Sequence, residues 1–223
     1  MNQNKISIIL QNSRNEDVDE TVRFLSMQQL TDNIDLELFT IDSPNMKDLQ
    51  ELIGQTDAYY KVFVQNGILL TNPYVLYNFI NIFQSEEKIG MIGLSGNTAI
   101  PYDGIFWSHR NLGTLYKMRD SSQCCHYEVF HYTSEKLDYA SFCGNECYAL
   151  CGEIPLRTDL DLCEELIPVS FGFELQKKGK IIAIPRQEKG WCINMGNDLD
   201  INRYLESRDV LYQEYTPWFQ MKD

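Results

Sequence analysis

The sequence lacks any long hydrophobic run, and it has few positive charges for its size. Every apolar stretch is far shorter than the roughly 18 residues that a membrane-spanning helix needs. The 19 Lys and Arg residues are outnumbered by 32 Asp and Glu residues, which gives a formal net charge of −13. Nucleic-acid binding depends on cationic side chains that contact phosphates. We therefore expect neither a membrane span nor a DNA or RNA partner.

The amino terminus also lacks the pattern of a secretory signal. The opening MNQNKISIIL has a single lysine and turns polar at Gln11, which leaves no room for a hydrophobic region and a cleavage site. Seven cysteines, an odd number, then favour reduced thiols over a disulfide framework. We expect a cytoplasmic protein.

The 223 residues are enough for one full-sized domain with its own core, and too few for two ordinary domains. Within that length, three strand-then-helix units occupy the first hundred residues. Apolar runs predict strands at 6–10, 36–41, 59–64 and 89–94, and helical spacing predicts helices at about 16–27, 46–53 and 73–88. This order predicts an α/β fold with a mostly parallel sheet flanked by helices.

Ligands of such sheets bind at the carboxyl edge, beyond the ends of the strands. The candidate binding residues are therefore those that follow the first three strands: Asn12, Asp42, Gln65 and Asn66. Phosphate-binding and dinucleotide-binding glycine motifs are absent, because no glycine-rich string follows Leu10.

The second half of the chain is less regular. Residues 95–142 show little periodicity, with a possible strand at 105–107, and are longer than an ordinary loop. Regular patterns return with a predicted helix at 169–178 that ends at Gly179, a strand at 181–184 and an amphipathic closing helix at 200–215.

Several local strings resemble the StrF-type domain of family-2 glycosyltransferases, named after a streptomycin-biosynthesis protein. They are YYKVFVQNGIL at 59–69, KIGMIG at 88–93, GEIPLR at 152–157, FELQKKG at 173–179 and WCI at 191–193. The likeness covers nearly the whole chain, is strongest at 59–94 and 152–193, and is weak at 95–142.

The resemblance implies a GT-A fold, a nucleotide-sugar donor and a glycan or small-molecule acceptor whose hydroxyl receives the sugar. It implies one domain over 1–223: a nucleotide-binding half at 1–94, an irregular excursion at 95–142, and an acceptor-side half with a closing helix at 143–223. Base and ribose contacts are implied at Asn15, Glu16 and Asp42. Mg²⁺ or Mn²⁺ on acids after the third strand is implied for the diphosphate.

The sequence departs from this family at polar positions. Where the group has a His-Gln-Asp-Val string, this chain reads VQNG at 64–67, so Asn66 stands at the position of the metal-binding acid. Asn145 and Glu146 replace an Asp-Gly pair, and Pro168 replaces an Asp. Asn194 and Met195 replace a His-Asp pair, which leaves Asn194 as a neutral remnant. Without the carboxylate, most of the attraction for a cation is lost, so metal binding is doubtful.

Two interpretations remain open. In the first, an active transferase has rebuilt its site from other acids, and an acid in the cluster of Asp159, Asp161, Glu164 and Glu165 removes the acceptor proton. Asp161, Glu164 and Glu165 are the candidates for that role, although such clusters are more often solvated. In the second, the domain is a degenerate transferase that binds a glycan, a nucleotide or a partner protein without turnover.

Other patterns carry less information. Asp103 and His109 are weak candidates for metal or acceptor contacts, and Tyr102 and Trp107 for acceptor stacking. The cysteines at 143, 147 and 151 lie near Cys124, Cys125, His126 and His131, but their spacing matches no common zinc or iron-sulfur motif. Buried thiols that act as small apolar side chains are the simpler interpretation.

Overall fold

Alternating strands and helices build the first part of the computed structural model, which describes residues 1–12, 18–42, 44–119, 124–129, 136–196 and 199–219. The elements up to residue 93 are β1 (Asn2–Asn12), α1 (Asp19–Ser26), β2 (Asp35–Asp42), α2 (Met46–Gly54), β3 (Ala58–Gln65), β4 (Ile68–Leu70), α3 (Val75–Ser85) and β5 (Ile89–Gly93). The Asn45 side chain caps α2 by accepting hydrogen bonds from the backbone N–H groups of Lys47 and Asp48, both at 3.0 Å.

Short strands dominate the rest of the chain before the last helices. The elements are β6 (Ser95–Asn97), a 3-10 helix (Phe106–Ser108), β7 (Leu112–Arg119), β8 (Cys124–Val129), β9 (Leu137–Ala140), β10 (Phe142–Cys143), β11 (Cys147–Cys151), a 3-10 helix (Glu164–Leu166), α4 (Ile167–Lys177), β12 (Ile181–Pro185), β13 (Cys192–Asn194), α5 (Ile201–Glu214) and α6 (Thr216–Phe219). Asp200 caps α5 through the N–H of Arg203 at 3.1 Å.

The central sheet has the strand order β2-β1-β3-β11-β5-β12-β9. Strand β1 is parallel to both β2 and β3, and β12 is parallel to β5. Strand β11 runs antiparallel between β3 and β5, and β9 closes the edge antiparallel to β12. The carboxyl ends of the parallel strands therefore meet at one edge, where the predicted binding residues lie.

Two apolar cores cover the two faces of this sheet. Phe63 and Tyr148, register partners on β3 and β11, stack at 4.8 Å in the core that also contains α2, α4 and α5. Val62 and Val64, whose side chains point the other way, belong to the core built with α1 and α3. The result is an α/β sandwich with helices on both faces.

A second, smaller sheet has the order β10-β6-β7-β13-β4, with β8 paired to β7. Its β7 and β13 are parallel neighbours in which Tyr116 pairs with Ile193 and Lys117 with Asn194. Residues 95–142 thus supply strands to both sheets.

The predicted α/β class with a mostly parallel sheet is confirmed. The predicted strand at 105–107 is wrong, because residues 106–108 form a 3-10 helix. Helix α3 begins at Val75, two residues after the predicted start. Asn72 instead accepts a hydrogen bond from the N–H of Tyr74 at 2.9 Å, within the turn that precedes the helix.

No helix in the described part of the chain is long and apolar enough to cross a membrane.

Candidate functional site

A cavity of about 510 Å³ lies at the carboxyl end of β3, where the central sheet meets the second sheet. Its polar lining residues are Gln65, Arg110, Lys117, Asn145, Glu146, Glu165 and Asn194. Its apolar and aromatic lining includes Phe106, Phe142, Leu199, Ile201 and Tyr204. These residues come from five separate stretches of the chain, so only the folded protein brings them together. The cavity combines amides, two cations and two carboxylates beside an apolar wall.

An ion pair between Glu146 and Arg110 forms the centre of this cavity. Glu146 is 3% exposed; its Oε1 accepts a hydrogen bond from Nη1 of Arg110, and its Oε2 accepts one from the Ser95 hydroxyl at 3.2 Å. The neighbouring Gly144 has no room for a side chain, because a Cβ there would collide with the Glu146 carboxylate and lie 2.6 Å from Ser95 Oγ. The backbone N–H of Gln65 donates to the Glu146 carbonyl at 3.0 Å, which fixes this pair beside the end of β3.

The chain around Arg110 is held by the closing helix. The Tyr204 hydroxyl donates to the Gly104 carbonyl at 2.8 Å and accepts from the Phe106 N–H at 3.1 Å. Burial raises the pKa of this hydroxyl, so Tyr204 remains a hydrogen-bonding phenol at neutral pH. Phe106 packs edge-on against Phe142 at 4.7 Å. These contacts fix the position of the 3-10 helix two residues before Arg110.

The thiols near this cavity are neutral. Burial raises the pKa of Cys192 to about 12, although the nearby Arg110 charge opposes the rise. The pKa of Cys143 is raised by the same burial, again against Arg110. Cys147 is fully buried, and burial also raises its pKa. These side chains are buried and pack as small apolar groups, as the sequence predicted.

Asn66, the residue after Gln65, belongs to a different hydrogen-bond network, which ends on the Asp42 carboxylate. Its Nδ2 donates to Asn12 Oδ1 at 3.1 Å, and its Oδ1 accepts from the Thr21 hydroxyl and from the Gly67 N–H, both at 3.0 Å. Asn12 Nδ2 in turn donates to Asp42 Oδ1 at 3.3 Å. The structure thus brings three predicted binding residues, Asn12, Asp42 and Asn66, into one network that ties β1, β2 and β3 to α1.

The acidic stretch 159–165 divides between surface and cavity. Asp159 is paired with Arg157, whose Nη2 lies 2.7 Å from Asp159 Oδ2, and this guanidinium lowers the pKa of Asp159. Asp161 is 76% exposed and lies 2.5 Å from Arg203 Nη2, which lowers its pKa as well. Both carboxylates therefore belong to surface ion pairs.

Glu164 and Glu165 occupy the 3-10 turn that leads into α4. Glu164 is 8% exposed, and its charge contributes to the raised pKa of Tyr148, which is caused first by burial. Glu165 is half-buried and lines the cavity. Of the predicted acids in this stretch, Glu165 is the one that faces the same space as Arg110.

The remaining predicted residues are scattered. Asn194, at the end of β13, lines the cavity beside Lys117. The predicted Asp103 and His109 lie 3.1 Å apart, Oδ2 to Nε2; partial burial opposes a fall in the Asp103 pKa, but the Ile105 N–H and His109 lower it. Tyr102 is 77% exposed. Asn15, Glu16, His131 and the side chains of Trp107, Cys124, Cys125 and His126 lie outside the described part of the structure.

Arg110 and Lys117 are the two charged cavity residues that the sequence analysis missed. No acidic residue occurs from 104 to 119, but the chain also has a longer acid-free stretch at 58–85, so this feature does not single out the two cations. The partner of Arg110, Glu146, is 36 residues away and becomes its neighbour only through the fold.

The residues of this cavity do not fit a divalent cation. Hard cations such as Mg²⁺ and Mn²⁺ need several oxygen ligands, and carboxylates supply most of the attraction. Here the deeply buried carboxylate, Glu146, is already neutralised by Arg110, and Glu165 is the second acid of the lining. Within the described residues, no group of three His, Cys, Asp or Glu side chains could hold a metal ion.

The profile of the glycosyltransferase-like family matches residues 7–215. The chain therefore belongs to this family, and the match covers all strands and helices that build the cavity. No curated protein sequence matches the chain.

The solved structure of a mannosyltransferase supports the GT-A architecture. The chain superimposes on the mannosyltransferase PcManGT from Pyrobaculum calidifontis, in complex with GDP-Man and Mn²⁺, with a TM-score of 0.57 and 10% identity, covering 98% of this chain and 65% of that one. It also matches S. aureus TarS 1-349 in complex with UDP, with a TM-score of 0.46, 11% identity, and 94% and 65% coverage. The chain thus spans just under two thirds of both solved chains, and identities this low show the fold alone.

Proposed function

We propose that this protein binds a nucleotide sugar in the carboxyl-edge cavity and transfers the sugar to an acceptor hydroxyl. The supporting observation is the convergence of Arg110 and Lys117 at the end of β3, in a chain of the glycosyltransferase-like family whose net charge is −13. A diphosphate needs positively charged partners: Lys117 supplies an ammonium group, and Arg110, although paired with Glu146, supplies a guanidinium group.

Arg110 and Lys117 take the place of a divalent cation in this proposal. The guanidinium of Arg110 has a forked set of N–H donors, a geometry that suits phosphate oxygens, and its pairing with Glu146 fixes its position at the cavity. Lys117 adds an exposed ammonium group across the cavity. Gln65 and Asn194 supply neutral amide groups that can bind ribose or sugar hydroxyls.

Glu165 is the proposed general base among the acids of 159–165. Its carboxylate takes the proton of the acceptor hydroxyl while that oxygen forms a bond to the anomeric carbon. The bond from the anomeric carbon to the diphosphate oxygen breaks, and its electron pair leaves with the nucleotide diphosphate, whose charge Arg110 and Lys117 stabilise. Glu164 and Asp161 lie outside the cavity lining and are not needed for this step.

A second function is supported by the amides at the carboxyl edge. Because Asn66 and Asn194 stand where the resemblance implies ionisable residues, the domain could instead bind a nucleotide or glycan without turnover. We also propose membership of the StrF-type subfamily and a division into donor and acceptor halves around residues 95–142, both on the basis of the sequence strings that resemble that group. A cytoplasmic location is proposed because the cysteines favour reduced thiols.

Titration calorimetry and a sugar-release assay separate the two functions. GDP-mannose, UDP-glucose and dTDP-glucose are titrated separately into the protein, with free GDP, UDP and dTDP as references. Binding of one donor together with release of its nucleoside diphosphate supports the transferase. Binding without release supports the non-catalytic module. If none of the nucleotides binds, both the transferase and a nucleotide-binding module are rejected.

A further inference from the structure

A second cavity, of about 1180 Å³, lies on the opposite side of the β7 and β13 strands from the first one. It is lined by the aromatic rings of Tyr116 and Trp191 and by three cationic side chains, Lys136, Arg186 and Lys189. Nothing in the proposed donor site uses these residues.

The strand register explains why two cavities share one wall. Tyr116 is the register partner of Ile193, and both line the second cavity. The next residues, Lys117 and Asn194, are also partners, and both line the first cavity. Successive side chains of a strand point to opposite faces of the sheet. One residue of each pair on β7 and β13 therefore faces the first cavity, and the preceding residue faces the second.

Hydrogen bonds to the protein interior fix the loop between β12 and β13, which carries Arg186, Lys189 and Trp191. The buried Gln187 donates through Nε2 to the Leu94 carbonyl at 2.8 Å, and its Oε1 accepts from the Trp191 N–H at 3.1 Å. The Trp191 carbonyl then accepts from the Thr71 N–H at 2.9 Å. The aromatic ring and the nearby cations are therefore presented by a pre-organised loop, which lowers the entropic cost of binding.

The charge of this cavity is opposite to that of the protein. Among the residues that the structure describes, three cations and one carboxylate, Glu188, line it, whereas the whole chain carries −13. Tyr116 and Trp191 are half-buried, and both line this cavity. Flat rings can pack against the C–H face of a pyranose, and cations next to them can pair with an acidic group on that sugar.

We infer that this second cavity binds an acidic saccharide, with its sugar rings on Tyr116 and Trp191 and its carboxylate groups at Lys136, Arg186 and Lys189. This inference does not depend on donor binding in the first cavity. The sugar-release assay can fail while this site binds its ligand, and the reverse is equally observable.

The test is titration calorimetry of the full chain with an oligogalacturonate. A malto-oligosaccharide of equal length, inorganic phosphate and an oligothymidylate are the comparison ligands. We expect the oligogalacturonate to bind and its affinity to fall as NaCl is raised, because salt screens exposed charges. Lys189→Glu should weaken binding about tenfold. The matched control is Lys88→Glu, which changes the charge equally at another exposed lysine and should leave the affinity unchanged.

Tryptophan fluorescence provides a second measurement of oligogalacturonate binding that does not depend on the charge variants. Oligogalacturonate should change the tryptophan emission of the wild type, and Trp191→Phe should remove most of this change while circular dichroism shows a retained fold. The inference is overturned if oligogalacturonate does not bind, or if the malto-oligosaccharide or phosphate alone binds equally well. It is also overturned if oligothymidylate binds more tightly or if Lys189→Glu leaves the oligogalacturonate affinity unchanged.

Discussion

Gln65 and Asn66 are adjacent in the chain, yet they lie in two different environments at the carboxyl edge of the sheet. Gln65 lines a cavity in which Arg110 and Glu146 form an ion pair, whereas Asn66 takes part in neutral hydrogen bonds through both ends of its amide. The polar groups on the Asn66 side join strands to a helix, whereas those on the Gln65 side line a cavity and include the buried Arg110–Glu146 ion pair. A substitution on the Asn66 side should therefore change stability alone, and one on the Gln65 side should also change ligand binding.

Arg110→Met should cause the largest loss of stability. Glu146 would remain 3% exposed without its guanidinium partner, and leaving one member of a buried ion pair typically costs about 3–5 kcal/mol. Denaturant unfolding measures this loss. The double variant Arg110→Met with Glu146→Gln should recover most of it, because no uncompensated charge is then buried. A double variant as unstable as the single one would show that the ion pair is not the cause.

Glu165→Gln should abolish turnover while donor binding persists. Loss of a positioned general base typically lowers the rate by about 100-fold or more. The matched control is Asp161→Asn, a carboxylate from the same stretch that is 76% exposed and paired with Arg203, and it should keep its rate. Equal losses in the two variants would remove the distinction between the surface acids and the cavity acid.

Asn66→Asp should destabilise the protein without creating a metal site. The new carboxylate would replace the Nδ2 donor 3.1 Å from Asn12 Oδ1, so two acceptors would face each other, at a cost of about 1–2 kcal/mol. Asn33→Asp is the control, because exposed Asn33 uses only its Oδ1, which accepts from the Thr31 hydroxyl. Calorimetry with Mn²⁺ completes the test: a gain of Mn²⁺ binding in Asn66→Asp would mean that this position is a vacated ligand.

The smallest effect is expected at Arg157, which links Glu174 and Glu214. Arg157 Nη1 lies 2.6 Å from Glu214 and 3.4 Å from Glu174. Arg157→Ala should cost about 1 kcal/mol at neutral pH, since these pairs are only partly buried.

The Arg157 contribution should also depend on pH in a known direction. Burial opposes a fall in the Glu174 pKa, but hydrogen bonds from Lys177 and Tyr215 and the Arg157 charge lower it below 4.5. A lowered folded-state pKa stabilises the protein above the unfolded value, and this stabilisation is lost as pH falls through the folded value. The difference between wild type and Arg157→Ala should therefore shrink below about pH 4.5. A difference that grows on acidification would contradict this sign.

The sequence was sufficient to predict most strands of the central sheet, because apolar runs and turn residues are local signals. Strands β1, β2, β3 and β5 and helix α2 lie where periodicity predicted them, and Gln65 follows from the carboxyl-edge rule alone. Arg110 could not be assigned in the same way, since its partner Glu146 becomes a neighbour only when β6, β7 and β11 assemble. Likewise, the sequence predicted one acidic cluster at 159–165, but in the structure Asp159 and Asp161 lie in surface ion pairs and Glu165 lines the cavity.

The most direct test of the account is the dependence of donor affinity on metal. GDP-mannose, or whichever donor binds best, is titrated into the wild type and into Lys117→Glu, in EDTA and again with Mn²⁺. We expect equal donor affinity for the wild type in both buffers, and a loss of about tenfold in Lys117→Glu in both. Binding that occurs only with Mn²⁺, with Lys117→Glu equal to the wild type, would contradict the claim that Arg110 and Lys117 carry the charge of the missing cation.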